Sequence, residues 1–211
     1  MNNLFNYIIE SIETYDAEVP TQAHKICDAL TRHLDYSQLQ EMNDQDLNRF
    51  DISKENEQLF IDSFANTNIE YIALSTQDYY KLTNPKTKWE NLSTKEKADF
   101  DTKNGDIIIV DKKNKPLYFI DIKISNNYVG AVSLGSLANF NENGIYICVC
   151  KKQKLVKFVS HKALVKAVKE DQKKYLKPVI GGRKKGYPVD WEGQKLTSEY
   201  FVPGKEIVNF K

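Results

Sequence analysis

Three charged residues in the stretch GDIIIVDKKNKPLYFIDIKIS, residues 105–125, could do chemistry: Asp106, Asp121 and Lys123. They stand in and beside two apolar runs that otherwise read as buried strands, where an unpaired charge is costly. Side chains alternate along a strand, so Leu117, Phe119, Asp121 and Lys123 share one face, and Tyr118, Ile120, Ile122 and Ile124 the other. A symmetric turn at DKKNKP pairs Val110 with Leu117, Ile109 with Tyr118, Ile108 with Phe119 and Ile107 with Ile120, which sets Asp106 opposite Asp121. Carboxylates placed so have Cβ atoms about 4.5–5.5 Å apart and repel one another. Proton sharing, solvent exposure at the sheet end or a bound cation can offset that repulsion. Hard oxygen ligands of this kind suit Mg²⁺, which takes one or two protein carboxylates and completes its shell with water and phosphate oxygens. Lys123 would then add a positive charge beside a metal-bound water and a reacting phosphate. The plain alternative is a strand start at Asp106 and the solvent face of an edge strand at Asp121–Lys123, since D-x-K is common by chance.

The elements that must position these residues follow from periodicity. Thr21 is a candidate N-cap for a helix whose Ala23, Ile26, Cys27, Leu30 and Leu34 recur at helical spacing. A second helix follows Ser53, with Leu59, Phe60, Ser63 and Phe64 on one face, and NIEYIAL (68–74) is rich enough in β-formers to be a strand. STQD at Ser75 and STKE at Ser93 resemble capping boxes, so short helices are expected before the hairpin. After it, Val129, Val132, Leu137 and Phe140 lie near a helical period interrupted by Gly130 and Gly135. GIYICVC (144–150) and LVKFV (155–159) then read as strands, and a basic helix runs from about Ser160 to Tyr175. Helix, strand, strand, strand, helix, strand is the predicted succession, an α+β fold, or α/β sandwich, with a central mixed sheet flanked by helices.

Composition bounds the rest. A chain of 211 residues, 41% hydrophobic and 28% charged, reads as one soluble globular domain with a sizeable core. No run approaches membrane-spanning length, and the N-terminus lacks a basic leader. Three cysteines argue against a disulfide framework and for a cytoplasmic location. The net charge of +1 hides a polarity: residues 1–70 hold 14 acidic and 4 basic residues, residues 151–185 hold 13 basic and 2 acidic. We divide the domain into an acidic, mostly helical region 1–52, a core 53–150, and a basic region 151–211 whose charge fits a polyanion or a solvated lysine-rich surface.

GD at 105–106 followed by DIK at 121–123 resembles the PD-(D/E)xK nuclease superfamily, which includes many type II restriction endonucleases. Gly105 stands where the motif name has proline, and the α-β-β-β-α-β order of that family is matched over roughly residues 53–150. The resemblance implies a Mg²⁺-dependent endonuclease in which Asp106 and Asp121 bind the metal, Ile122 offers its backbone carbonyl, and Lys123 helps activate the attacking water. It implies a further acid from the preceding helix, Glu57 or Glu55. Double-stranded DNA, a homodimer, and a cognate DNA methyltransferase acting on the same site without a stable complex are the partners it implies. A junction-resolving or repair nuclease, or a DNA-binding module without catalysis, is the alternative.

Candidate DNA contacts lie downstream of the motif. Lys162, Lys166, Lys169 and Lys173 form one helical stripe opposite Leu164 and Val168. GGRKKGYP supplies Arg183, Lys184, Lys185 and Tyr187 on a glycine-rich loop. Ser125, Asn126 and Asn127 could reach phosphate or base edges, or simply form a turn. Cys148, Cys150 and His161 read as core residues rather than metal ligands. His24, Cys27 and His33 lack zinc spacing, and no Walker loop, dinucleotide fingerprint or nucleophile elbow is present.

Overall fold

Ala23, Ile26, Cys27 and Leu30 recur at three- and four-residue steps, and helix α1 (Thr21–Arg32) buries all four. The structure, a computed structural model, describes residues 20–40, 49–125, 132–151, 155–170 and 186–187. Thr21 is the first helical residue rather than the cap; Pro20 holds the N-cap position, and its hydrocarbon ring offers no side-chain hydrogen bond to the first turn. Helix α2 (Arg49–Ala65) begins four residues before Ser53 and turns Phe60, Ser63 and Phe64 inward. The Ser63 hydroxyl donates to the Ala29 carbonyl (3.1 Å) and accepts from the His33 amide (3.1 Å), which ties α2 to the end of α1.

These two helices cover one face of a five-stranded mixed sheet. Its strands are β1 (Ile72–Ser75), β2 (Ile107–Val110), β3 (Pro116–Ser125), β5 (Gly144–Cys150) and β6 (Leu155–Ser160), in the spatial order β1-β2-β3-β5-β6. Only β3 and β5 run parallel. A parallel pair needs a crossover, and here it carries β4 (Val132–Ser133) and helix α5 (Leu134–Asn139). The helix expected near 129–140 is thus reduced to six residues behind a two-residue strand.

The β2 run IIIV is buried on both faces. Ile107 and Ile109 join Ile120, Ile122, Ile145 and Ile147 against α1 and α2. Ile108 and Val110 join Phe119, Tyr146 and Cys148 against Leu137 of α5, Phe140, and Leu164 of α6 (His161–Glu170). Each such side chain removed from water contributes about 1.5–3 kcal/mol, so the sheet is the stable frame on which a polar site can be mounted.

The β1–β2 connection holds helices α3 (Thr76–Thr83) and α4 (Thr94–Asn104). The Ser75 hydroxyl accepts the Asp78 amide, and Ser93 with Glu96 forms a full capping box, as the two tetrapeptides predict. Tyr80, Trp89 and Phe100 pack edge to face between the helices, with centroids 5.1 to 6.1 Å apart. A short strand β7 (Gly186–Tyr187) pairs with β4 in a separate two-stranded sheet. Among the described residues no helix is long and apolar enough to cross a membrane.

Candidate active site

Gly105 ends α4 at φ 74°, and a Cβ there would stand 2.5 Å from the Ile120 carbonyl oxygen. Proline, locked near φ −65°, is excluded from that conformation, so glycine is required at this position. Asp106 follows and is held from three directions. Its amide donates to Ile120 O (2.7 Å), its carbonyl accepts from the Thr76 amide (3.2 Å), and its carboxylate Oδ2 accepts the Ile122 amide (2.6 Å).

The hairpin register runs as read from Ile107↔Ile120 to Ile109↔Tyr118, then shifts, so that Val110 pairs with Pro116 rather than Leu117. The turn is not symmetric: Asp111 Oδ1 accepts the amides of Lys113 (2.8 Å) and Lys115 (2.9 Å), and Asn114 takes a left-handed φ of 62°. Asp106 lies just before β2, one step beyond the Ile107↔Ile120 pair, and its carboxylate accepts the Ile122 amide while feeling the charge of Asp121.

Asp121 and Lys123 share the sheet face of Tyr146 and Cys148, as strand alternation requires. Asp121 is 6% exposed and its Oδ1 accepts from the Lys123 ammonium. Burial draws Lys123 downward, but Asp121 and Asp106 more than offset it, and the net shift is upward. Burial drives the Asp106 carboxyl well above its ordinary range, Asp121 adds to that, and Lys123 counters it in part.

Of the two acids on the preceding helix, Glu55 is exposed and accepts from Gln40 Nε2 (3.1 Å). Glu57 accepts from Ser53 Oγ (3.0 Å) and lies within electrostatic reach of Asp121. Burial pushes Glu57 up to about 7, against the Ser53 hydrogen bond and with Asp101 adding to the rise. Asp101, in the last turns of α4, is itself raised to about 6 by the protein around its carboxyl, although much of the residue faces solvent.

Three residues beside this cluster escape a reading of the motif alone. Tyr146 is the register partner of Asp121, and its hydroxyl lies 2.8 Å from His161 Nδ1. Burial holds His161 down at about 4, with Asp121 opposing. Phe140 packs on both rings, 5.1 Å from Tyr146 and 5.4 Å from His161, and fills the space that side chains at Gly105 and Gly144 would occupy. Alternation in GIYICVC puts Tyr146 and Cys148 on one face, but only the parallel pairing of β3 with β5 brings Tyr146 to Asp121. Cys27 and Cys148 are buried and form no disulfide.

The donor set fits a hard divalent cation. Among the described residues, Asp106 Oδ1 and Asp121 Oδ2 accept no hydrogen bond, though both carboxylates sit in a largely buried cluster. Glu57 feels the charges of Asp101 and Asp121 and is opposed by Lys54, while the Lys123 ammonium opposes Asp106 and pairs with Asp121. No three His, Cys, Asp or Glu side chains among the described residues converge into a complete cage, and Mg²⁺ does not require one, since it keeps several waters. Ile122, the expected source of a carbonyl ligand, gives its N–H to Asp106.

The expected DNA contacts are only partly within view. Lys162, Lys166 and Lys169 are exposed on α6, which packs on the Asp121 face of the sheet through Leu164. Ser125 closes β3 opposite Cys150, and Tyr187 in β7 pairs with Val132. Asn126, Asn127, Lys173, Arg183, Lys184 and Lys185 lie outside the described residues. Compared with protein-family models, with curated proteins and with solved structures, the chain gives no match.

Proposed function

We propose that the chain is a Mg²⁺-dependent endodeoxyribonuclease of the PD-(D/E)xK kind, cutting double-stranded DNA at a specific sequence as type II restriction enzymes do. The observation that carries the reading is the electrostatic unit of Asp106, Asp121 and Lys123 at one end of the β2–β3 hairpin, in which, among the described residues, the second oxygen of each carboxylate accepts no hydrogen bond. Glu57, reaching the same cluster from the preceding helix, supports it. So does the order α2, β1, β2, β3, α5 and β5, which is interrupted by α3 and α4 before β2 and by β4 before α5.

Asp106 and Asp121 would hold the cation, whose chemistry there would be to acidify water and to stabilise charge at the phosphate. The backbone bonds around Asp106 fix its carboxylate before any ligand arrives, so little reorganisation accompanies binding. Lys123 stands beside Asp121, where it can orient the attacking water and offset negative charge as it builds on the phosphate. The α6 lysines lie on the same side of the sheet and would engage the DNA backbone. Cleaving both strands with one such site per chain calls for two copies, hence a homodimer. A cytoplasmic location and a cognate methyltransferase belong to the same reading.

Incubation with plasmid DNA and Mg²⁺, with a chelator control, tests it on a gel. Discrete Mg²⁺-dependent fragments are expected. Smearing would indicate a nuclease without sequence choice, as in repair or junction cutting. Intact DNA with retarded migration would indicate a binding module and overturn the enzymatic reading.

A further inference from the structure

Tyr146 and His161 form a buried polar pair that the proposed chemistry leaves unexplained. Tyr146 is fully buried and His161 is 7% exposed, with the phenol and imidazole Nδ1 2.8 Å apart. Leu137, Phe140, Val159 and Leu164 belong to the same core as Tyr146, and the charge of Asp121 acts on both residues of the pair. Replacing both partners of a buried hydrogen bond by hydrocarbon side chains of similar shape is near neutral. Packing alone does not call for the pair.

Its place in the sheet does. Asp121 and Tyr146 are partners in the β3–β5 ladder and project from the same face, and Tyr146 in turn pairs with Val159, two residues before His161. Asp121, Tyr146 and His161 therefore form a row across β3, β5 and the start of α6. Phe140 braces both rings of the pair from the side.

We infer that Tyr146 and His161 are positioning residues for Asp121, a rigid polar wall that orients its open carboxylate oxygen toward a divalent cation. The inference rests on the reading of Asp121 as a metal ligand. The hydrogen bond ties the hydroxyl and the imidazole ring together, so the polar groups beside Asp121 are held in place. Among the described residues neither donates to Asp121, so they act by confining its carboxylate; outer partners that hydrogen-bond a ligand change metal affinity by about 10–100-fold when removed.

Calorimetric titration of Mn²⁺ into the full chain without DNA tests it, using wild type, Tyr146→Phe, His161→Leu and the double variant, with melting curves to establish folding. Each single change is expected to weaken Mn²⁺ binding by about 10-fold, the low end of that range. The double should lose no more than the weaker single, because the pair acts as a unit. Raising Mg²⁺ should restore the cleavage rate of the variants, which a packing defect would not allow. Unchanged Mn²⁺ affinity in Tyr146→Phe, which removes one oxygen and keeps the ring, overturns the inference even if His161→Leu unfolds. Strictly additive losses overturn it too. A wild type that takes up no Mn²⁺ and cuts no DNA sinks instead the reading of Asp121 on which it rests.

Discussion

Glu57 and Asp106 sit where burial favours the neutral carboxyl, so the folded protein holds protons that the unfolded chain gives up. For Glu57 the folded value of about 7 lies above the ordinary 4.5, so its contribution to stability is complete below about 4.5 and lost as pH rises through 7. Glu57→Gln removes that dependence: with chelator present, the variant should gain about 2 kcal/mol on wild type between pH 5 and pH 8 in urea unfolding. His161 titrates in the opposite sense, between about 4 and 6.5, and cancels because it is common to both proteins. Parallel curves for the two proteins would mean that Glu57 is not confined as described. Asp121→Asn keeps shape and burial but removes a ligand charge, and cleavage at saturating Mg²⁺ should fall at least about 100-fold, beyond what losing an outer partner costs. Wild-type rates would refute the metal assignment. The motif made Asp106, Asp121 and Lys123 visible in the sequence because strand alternation is local. Whether Glu55 or Glu57 joins them was not legible, since both lie on α2 and only the docking of the helix turns Glu57 inward.

At the scale of elements, the hairpin depends on a glycine that lets α4 end and β2 begin without a loop. Gly105→Ala would force a side chain into φ 74° and onto the Ile120 carbonyl, so a loss of at least about 2 kcal/mol is expected in chemical denaturation. Since Asp106 moves with any relief of that clash, cleavage should fall in the fraction that stays folded. A variant as stable and active as wild type would show that the backbone conformation is not as described. The two serine-capped helices and the buried β2 run were legible because capping and apolar runs are short-range signals. The bulge at Val110 was not, because Asp111 bonds two amides of its own turn and thereby breaks the symmetry that its sequence displays. The truncated α5 behind β4 escaped for a similar reason: β4 pairs with β7, more than fifty residues away.

The whole molecule is electrically polar, acidic in its first third and basic after residue 150. If Lys162, Lys166 and Lys169 neutralise phosphates, changing all three to Ala should make the plot of log affinity against log salt shallower by about 0.9 per lost contact on duplex DNA. Alanine favours the helix, so α6 should persist by circular dichroism. The loss should be alike for cognate and random DNA, because phosphate contacts carry no sequence information directly. An unmoved slope would mean that these lysines do not contact phosphate. The parallel β3–β5 pairing has a further consequence, in time rather than in space. Residues 57, 106, 121, 146 and 161 meet only after the crossover is closed, and non-local pairings of this type form late in folding. A nascent chain that has emerged only as far as the hairpin holds the whole D…DxK motif yet lacks the strand that walls in Asp121. On the nuclease reading, competence to cut would therefore arrive with the last strands of the sheet, and a cell making the chain would meet that activity only in finished molecules.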